Sequence, residues 1–390
     1  MTDANLGVTS RTFSVLVSSA VTLPFADAFD RADSTLFLGP YWTVNTGTIT
    51  LKNNKANFGA GLSIASLNHS TALGRDLALQ ADVNIGLNQN LGLIARYNGG
   101  LNNFYWGAIV NNNGVFTARI YKNVNGIQTQ LATAPVNFGV GTLRFEVADV
   151  SLKLFYGANA ASMTLVAFAN DAALTNAGGA GIRSSSGNVT LVNFTANAIN
   201  LTTPMLSPAF VEEFDTTSNT NQLSRNWTER QGNFNIIDDG GNKRLVGNSA
   251  SASIATVHGL LLADATIEAK LILGANQHAA LLARYQANGS YYMAMVQANA
   301  AGTAFTPTIY KVVGGVLTKV NGAILTPITT GSGKLRFVLA GTSLKLFYSP
   351  LPGGAEVLVT SGFDAAIRTE GLTGVRASKG AVLDDFAVSP

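Results

Sequence analysis

Apolar and polar residues alternate in short runs along most of the chain. From Leu79 to Ile85 every second position is apolar, with Gln80, Asp82 and Asn84 between. A period of two marks a strand with one buried face. The same alternation sets Leu143, Phe145 and Val147 against Arg144 and Glu146, and Leu152 and Leu154 against Lys153 and Phe155. Asn98-Gly99-Gly100, Asn111-Asn112-Asn113-Gly114, Asn125-Gly126 and Gly353-Gly354 punctuate the runs. Asn and Gly suit such places because they enter the left-handed conformations that tight turns need. No long stretch keeps a helical period. Many short strands separated by turns predict an all-β sandwich or jelly roll.

The pattern occurs twice. Phe25-x-x-x-Phe29-Asp30 returns as Phe210-x-x-x-Phe214-Asp215, and Trp42-Thr43 as Trp227-Thr228. Leu93-Ile94-Ala95-Arg96-Tyr97 matches Leu281-Leu282-Ala283-Arg284-Tyr285, and Phe104-Tyr105 matches Tyr291-Tyr292. Leu143-Arg144-Phe145 matches Leu335-Arg336-Phe337, and Gly181-Ile182-Arg183 matches Gly374-Val375-Arg376. Ser151 to Tyr156 recurs letter for letter as Ser343 to Tyr348. Matches in unbroken order indicate a duplicated domain. The chain therefore divides into an N-terminal hairpin or strand segment (1–24), a first sandwich (25–198), a Pro-containing linker (199–209) and a second sandwich (210–390). Pro204 and Pro208 favour an extended connector that limits free tumbling.

Four of these features carry a likeness to a known family. They are the opening Phe-x-x-x-Phe-Asp with its following Trp, the Ala-Arg-Tyr strand leading into an aromatic pair, the Leu-Arg-Phe before SLKLFY, and the closing Leu383-Asp384-Asp385-Phe386. Each copy resembles the concanavalin A-like, laminin-G-like jelly rolls of bacterial extracellular proteins. The resemblance implies two tandem jelly-roll β-sandwiches in an extracellular or cell-surface protein. That superfamily contains lectins, adhesion modules, carbohydrate-binding modules and some glycoside hydrolases, so fold alone does not choose among them. The opening segment resembles the last hairpin of a cadherin-like or immunoglobulin-like domain. Phe13, Val15 and Val17 would face one way, as a strand for another molecule's sheet edge or for its own sandwich.

Composition narrows the chemistry. Charged residues make up only 12%, and the net charge of +3 comes without a Lys/Arg cluster. Nucleic-acid binding, which needs a basic face, is set aside. Without cysteine there is no disulfide, thiolate zinc site or Cys nucleophile. No apolar run reaches the ~18 residues of a membrane span. Phe13 to Phe25 followed by Ala26-Asp27-Ala28 has the outline of a signal peptide, but cleavage there would remove Phe25, which has a counterpart in Phe210.

Catalysis is not expected. The only glutamate of the first copy is Glu146, and its counterpart is Val338. The Glu-x-Asp-x-(x)-Glu run of laminarinase-type relatives is absent, and His69, His258 and His278 are isolated. Glycan contacts, if made, call for aromatic platforms flanked by hydrogen-bonding side chains. The candidates are Arg96, Tyr97, Tyr105 and Trp106, with Arg284, Tyr285, Tyr291 and Tyr292 in the second copy. Their recurrence equally suits a shared framework, and Trp106, which stands where the second copy has Met293, is the best site candidate. Pairing of the first and last strands would bring Asp384 and Asp385 near Glu212, Glu213 and Asp215, as a structural Ca2+ site or as acceptors at a strand end. The expected function is non-catalytic adhesion or self-assembly with copies of itself. The alternative is a carbohydrate-binding pair that takes polysaccharide. A glycoside hydrolase, the third reading, requires two facing carboxylates in a cleft, and the carboxylate-poor first copy argues against it.

Overall fold

Among the described residues thirty strands build four antiparallel sheets. The computed structural model describes residues 18–199, 209–215, 222–320 and 322–390. Phe13, Val15, Val17 and most of the linker lie outside them. Within each copy an eight-stranded and a seven-stranded sheet face one another, which gives two tandem jelly-roll sandwiches. The first seven-stranded sheet runs Ile127–Pro135, Val115–Val124, Asn103–Asn112, Asn90–Asn98, Gly179–Ser184, Ser63–Leu67, Trp42–Thr46. The second runs in the matching order Val316–Lys319, Phe305–Val313, Tyr291–Ala298, His278–Tyr285, Gly371–Ala377, Ser253–Leu262, Trp227–Gln231. The alternating runs fall on strands Leu77–Asn84, Val140–Ala148 and Ser151–Gly157.

The inner faces carry the apolar sets. Leu79, Leu93, Tyr105, Ile120, Leu143, Phe145 and Leu154 of the first sandwich are fully buried together. The sheets approach so closely at Gly107 that a Cβ there would lie 2.6 Å from the Phe145 ring. Glycine is what lets the facing aromatic enter.

The Phe-x-x-x-Phe-Asp motif starts on a short strand paired with the last strand of each sandwich. Phe29 and Phe214 adopt left-handed φ values of 60° and 61°. That conformation is costly for a bulky residue and must be held from outside. Asp27 accepts from the Phe29 N–H at 2.7 Å and from Trp42 Nε1 at 2.7 Å. Its counterpart Glu212 accepts from the Phe214 N–H at 3.2 Å and from Ser224 at 2.8 Å. Each Phe then packs on a tryptophan, Phe29 at 5.7 Å from Trp42 and Phe214 at 6.1 Å from Trp227.

The two sandwiches touch through polar groups. Lys153, on the outward side of its strand, is completely buried against the second sandwich, whereas its counterpart Lys345 is exposed. The Lys153 ammonium donates to the Phe234 carbonyl and lies 4.0 Å from Glu229. Gln222 donates to Glu146 at 3.0 Å, Arg225 to Asp76 at 2.7 Å, and Asn170 to the Gly232 carbonyl at 3.3 Å.

Candidate functional site

The Ala-Arg-Tyr strands explain how the candidates sort. Arg96 and Arg284 have φ values of 53° and 50°, and the ladder to the neighbouring strand slips at both. These are β-bulges, which re-aim side chains. Close approach of the next strand needs a glycine: a Cβ on Gly178 or Gly371 would lie 2.5 Å from the backbone of Arg96 or Arg284. The bulge sends each arginine into the end of the sandwich and turns the following tyrosine onto the outer face.

Arg96, Tyr105, Arg284 and Tyr292 are therefore framework rather than glycan contacts. All four are at most 3% exposed. Arg96 donates to the carbonyls of Arg75, Leu174 and Asp149 at 2.6–2.7 Å. Arg284 donates to those of Ala263, Ile367 and Gly341. Tyr105 donates to Asp171, and Tyr292 to Asp364, each at 2.7 Å. Burial, with the Asp364 hydrogen bond, pushes the Tyr292 hydroxyl up to about 12. Burial alone would raise the Asp171 carboxyl, but hydrogen bonds from Lys122, Tyr105 and the Ala173 N–H outweigh it and hold it low.

The remaining candidates lie on the outer faces of the seven-stranded sheets. In the first, Trp106 stacks on Tyr121 at 4.8 Å, and Tyr97 leans on Phe104 at 6.0 Å. Gly92 leaves room for the indole, since a Cβ there would lie 2.6 Å from Nε1. Arg183 lies over this cluster, its guanidinium 3.9 Å from the Trp106 ring. Such stacking is a cation–π contact. Its Nη2 donates to Gln128 at 3.0 Å, but Nε, Nη1 and Trp106 Nε1 are buried without a partner. Burial lowers Arg183 to about 10, so it stays charged at neutral pH. Arg119 donates to Tyr121 at 3.2 Å and borders a cavity of about 320 Å³ lined by Asn88, Gln89, Asn90, Asn111 and Asn113.

The second face repeats the arrangement with other side chains. Tyr285 stacks on Tyr291 at 5.3 Å, and Arg230 lies 5.7 Å from the Tyr285 ring. Arg376, the counterpart of Arg183, reaches Met293 Sδ at 3.8 Å, and its Nε has no partner. His278 Nε2 is also buried and unpaired. Trp106 is only 2% exposed and Tyr291 6%, so neither is an open platform; the half-buried Tyr97 and Tyr285 form the accessible edge.

Comparison with known proteins adds this much. No family model and no curated protein matches the chain. Among solved structures it is similar to the carbohydrate-binding module CBM66 from Bacillus subtilis, 18% identical over 44% of this chain and 98% of that one, with a TM-score of 0.34. It is also similar to the exoplasmic/lumenal domain of VIP36 in its Ca2+/Man3GlcNAc-bound form, 13% identical over 42% and 86%, TM-score 0.33. A legume lectin-like domain from Entamoeba histolytica is 14% identical over 42% and 91%, TM-score 0.32. Likeness at these identities and scores carries no argument about this chain, whose fold stands on its own strand pairing.

The five acidic candidates are spread over separate duties. Glu212 is buried on Phe214 and Ser224, Glu213 is exposed, and Asp215 accepts from the Lys243 N–H at 2.7 Å. Asp384 accepts from Asn242 at 3.2 Å and lies 3.9 Å from Arg244, while Asp385 pairs with Lys270. Among the described residues no three His, Asp or Glu side chains gather as a metal-holding group. Glu212, Asp215, Asp384 and Asp385 thus each meet an N–H group, a hydroxyl or a cation of the protein.

Arg183, Arg376, Arg119 and His278 were missed as site residues. The signal was present: Gly-x-Arg recurs on an otherwise apolar strand in both copies, where a framework arginine would need an acidic neighbour. His278 yields a pH prediction. Burial, then the neighbouring Arg376, lowers it from 6.5 to about 4. Between those values the unfolded chain binds a proton that the folded chain does not. Stability should therefore fall as pH drops from about 6.5 towards 4, and His278→Phe should remove that part of the slope. Urea midpoints with the same slope in both proteins would refute it.

Proposed function

We propose that the protein is a non-catalytic, extracellular or cell-surface glycan-binding protein of the concanavalin A-like, laminin-G-like kind, with one glycan site on each seven-stranded sheet. One observation carries the reading. At matching positions on both sandwiches an arginine lies among stacked or packed aromatic and sulfur side chains, with N–H groups that meet no acceptor among the described residues. Buried donors are otherwise almost always satisfied, so an unused pair on a surface face is what a polar ligand completes. Sugars match such a face, because their C–H surfaces stack on rings and their oxygens accept hydrogen bonds. The non-catalytic assignment is supported by the strands of these sheets, whose only carboxylate, Glu229, is engaged at the junction between the sandwiches. Adhesion is the work that two such sites on one chain would serve.

Gels cast with a panel of neutral and acidic polysaccharides test the reading. Retardation by at least one is expected, and Tyr97→Ala with Tyr285→Ala should weaken it about tenfold or more. Mobility unchanged by every polysaccharide would remove the proposal.

A further inference from the structure

The two faces also specify a class of glycan. We infer that it is anionic, with a carboxylate or sulfate seated on Arg183 in the first sandwich and on Arg376 in the second. This rests on the glycan reading above and sharpens it.

The first argument is the distribution of charge. None of the seven strands of the first sheet contains Asp or Glu; of their four cations Arg96 and Lys122 are paired with Asp76 and Asp171 from other segments, which leaves Arg119 and Arg183 without a carboxylate among the described residues. On the second sheet Arg284 and Lys311 are likewise paired with Asp264 and Asp364, which leaves Arg230, Lys319 and Arg376, with Glu229 as the one carboxylate of its strands. Glu229 is turned to the Phe234 N–H at 2.8 Å and to Lys153, away from the outer face. A chain with 25 basic and 22 acidic residues overall has thus kept its carboxylates off both faces. A face of one sign draws the opposite charge.

The second argument is chemical type. Arg183 Nε, Arg183 Nη1 and Trp106 Nε1 can only donate. A sugar hydroxyl must itself donate somewhere, and these atoms offer it no acceptor. A carboxylate or sulfate accepts only, and it matches the guanidinium fork edge to edge.

The third is contrast with the other arginines. Arg96 lies 3.4 Å from Asp76, Arg284 3.1 Å from Asp264, Arg144 2.8 Å from Glu146 and Arg336 2.8 Å from Glu356. Among the described residues no carboxylate pairs with Arg183, although it is only 9% exposed. A cation withdrawn from water without a counter-charge is expensive to keep. A ligand anion supplies what the fold elsewhere supplies itself.

The test compares polygalacturonate, alginate and hyaluronate with their methyl esters, which keep the sugar chain and remove the charge. The full chain should bind at least one acid form about ten- to a hundredfold more tightly than its ester, the range of a charge-assisted hydrogen bond. Arg183→Gln and Arg376→Gln together should abolish that preference, so that acid and ester bind alike, and a circular dichroism spectrum and urea midpoint like those of the wild type report that the variant folds. Lys345→Gln, which removes one positive charge at an exposed site of the other sheet, should leave the preference intact. Equal binding of acid and ester overturns the anionic inference while the glycan reading stands. Loss of preference in Lys345→Gln also overturns it, as unspecific attraction. No retardation by any acid, ester or neutral chain overturns both.

Discussion

Lys153→Ala should destabilise the full chain by about 3–5 kcal/mol, the range for breaking a buried ion pair from one side. The same hexapeptide shows why. In SLKLFY of the second copy Lys345 reaches water, so its removal should cost little. Lys153 has no access to water and depends on the Phe234 carbonyl, Glu229 and Glu146. Burial presses its ammonium towards neutrality, and the two carboxylates oppose that. Taking the lysine away leaves Glu229 buried at 7% exposure, with Oε2 already lacking a partner. Calorimetry on the wild type should show one cooperative transition, and the variant should split it as the sandwiches uncouple. Adding Glu229→Gln to Lys153→Ala should recover part of the loss, since neighbours in one network are not additive. A change under about 1 kcal/mol, typical of exposed pairs, would refute the argument.

This junction also accounts for a difference between the repeats that catalysis could not. Glu146 is replaced by Val338, and Glu229 by Val44. Both carboxylates stand only at the positions that meet Lys153. A head-to-tail contact of a second copy onto Lys345 would bury that ammonium against two valines.

The fold was legible because its causes are local. Period-two runs, Asn-Gly turns and the repeat itself survive in single residues, and the alternating runs at Leu79–Ile85, Leu143–Val147 and Leu152–Leu154 each fall on or along a strand of the sheets. The site was less legible because aromatic character says nothing about which way a ring points. Tyr105 and Tyr97 are eight residues apart on neighbouring strands, and a bulge of one residue at Arg96 decides that one ring lies inside and the other outside. Alternation sets Lys153 opposite Leu152 and Leu154, as it sets Lys345 in the second copy, where that side chain is exposed. Only the arrival of a second domain buries Lys153, and alternation within one strand carries no trace of that.

Arg284→Met should cost more than about 4 kcal/mol, placing it among the exceptional single substitutions. Its guanidinium binds three carbonyls from three separate segments, those of Ala263, Gly341 and Ile367, and lies 3.1 Å from Asp264. Methionine fills much of the volume and offers no donor, so the carbonyls lose charged hydrogen bonds worth about 1.5–3 kcal/mol each. Arg284→Lys should recover little, because one ammonium cannot span the three directions that a planar fork serves. The left-handed backbone adds to the cost, since φ of 50° is held only while the side chain is anchored. Arg96→Met should behave alike, its fork serving the Arg75, Leu174 and Asp149 carbonyls. Urea unfolding of the four proteins decides the matter. Stability within about 1 kcal/mol of wild type, or full rescue by lysine, would return these arginines to the surface chemistry first expected of them, whereas a collapse in both copies makes them the pins on which each bulge turns.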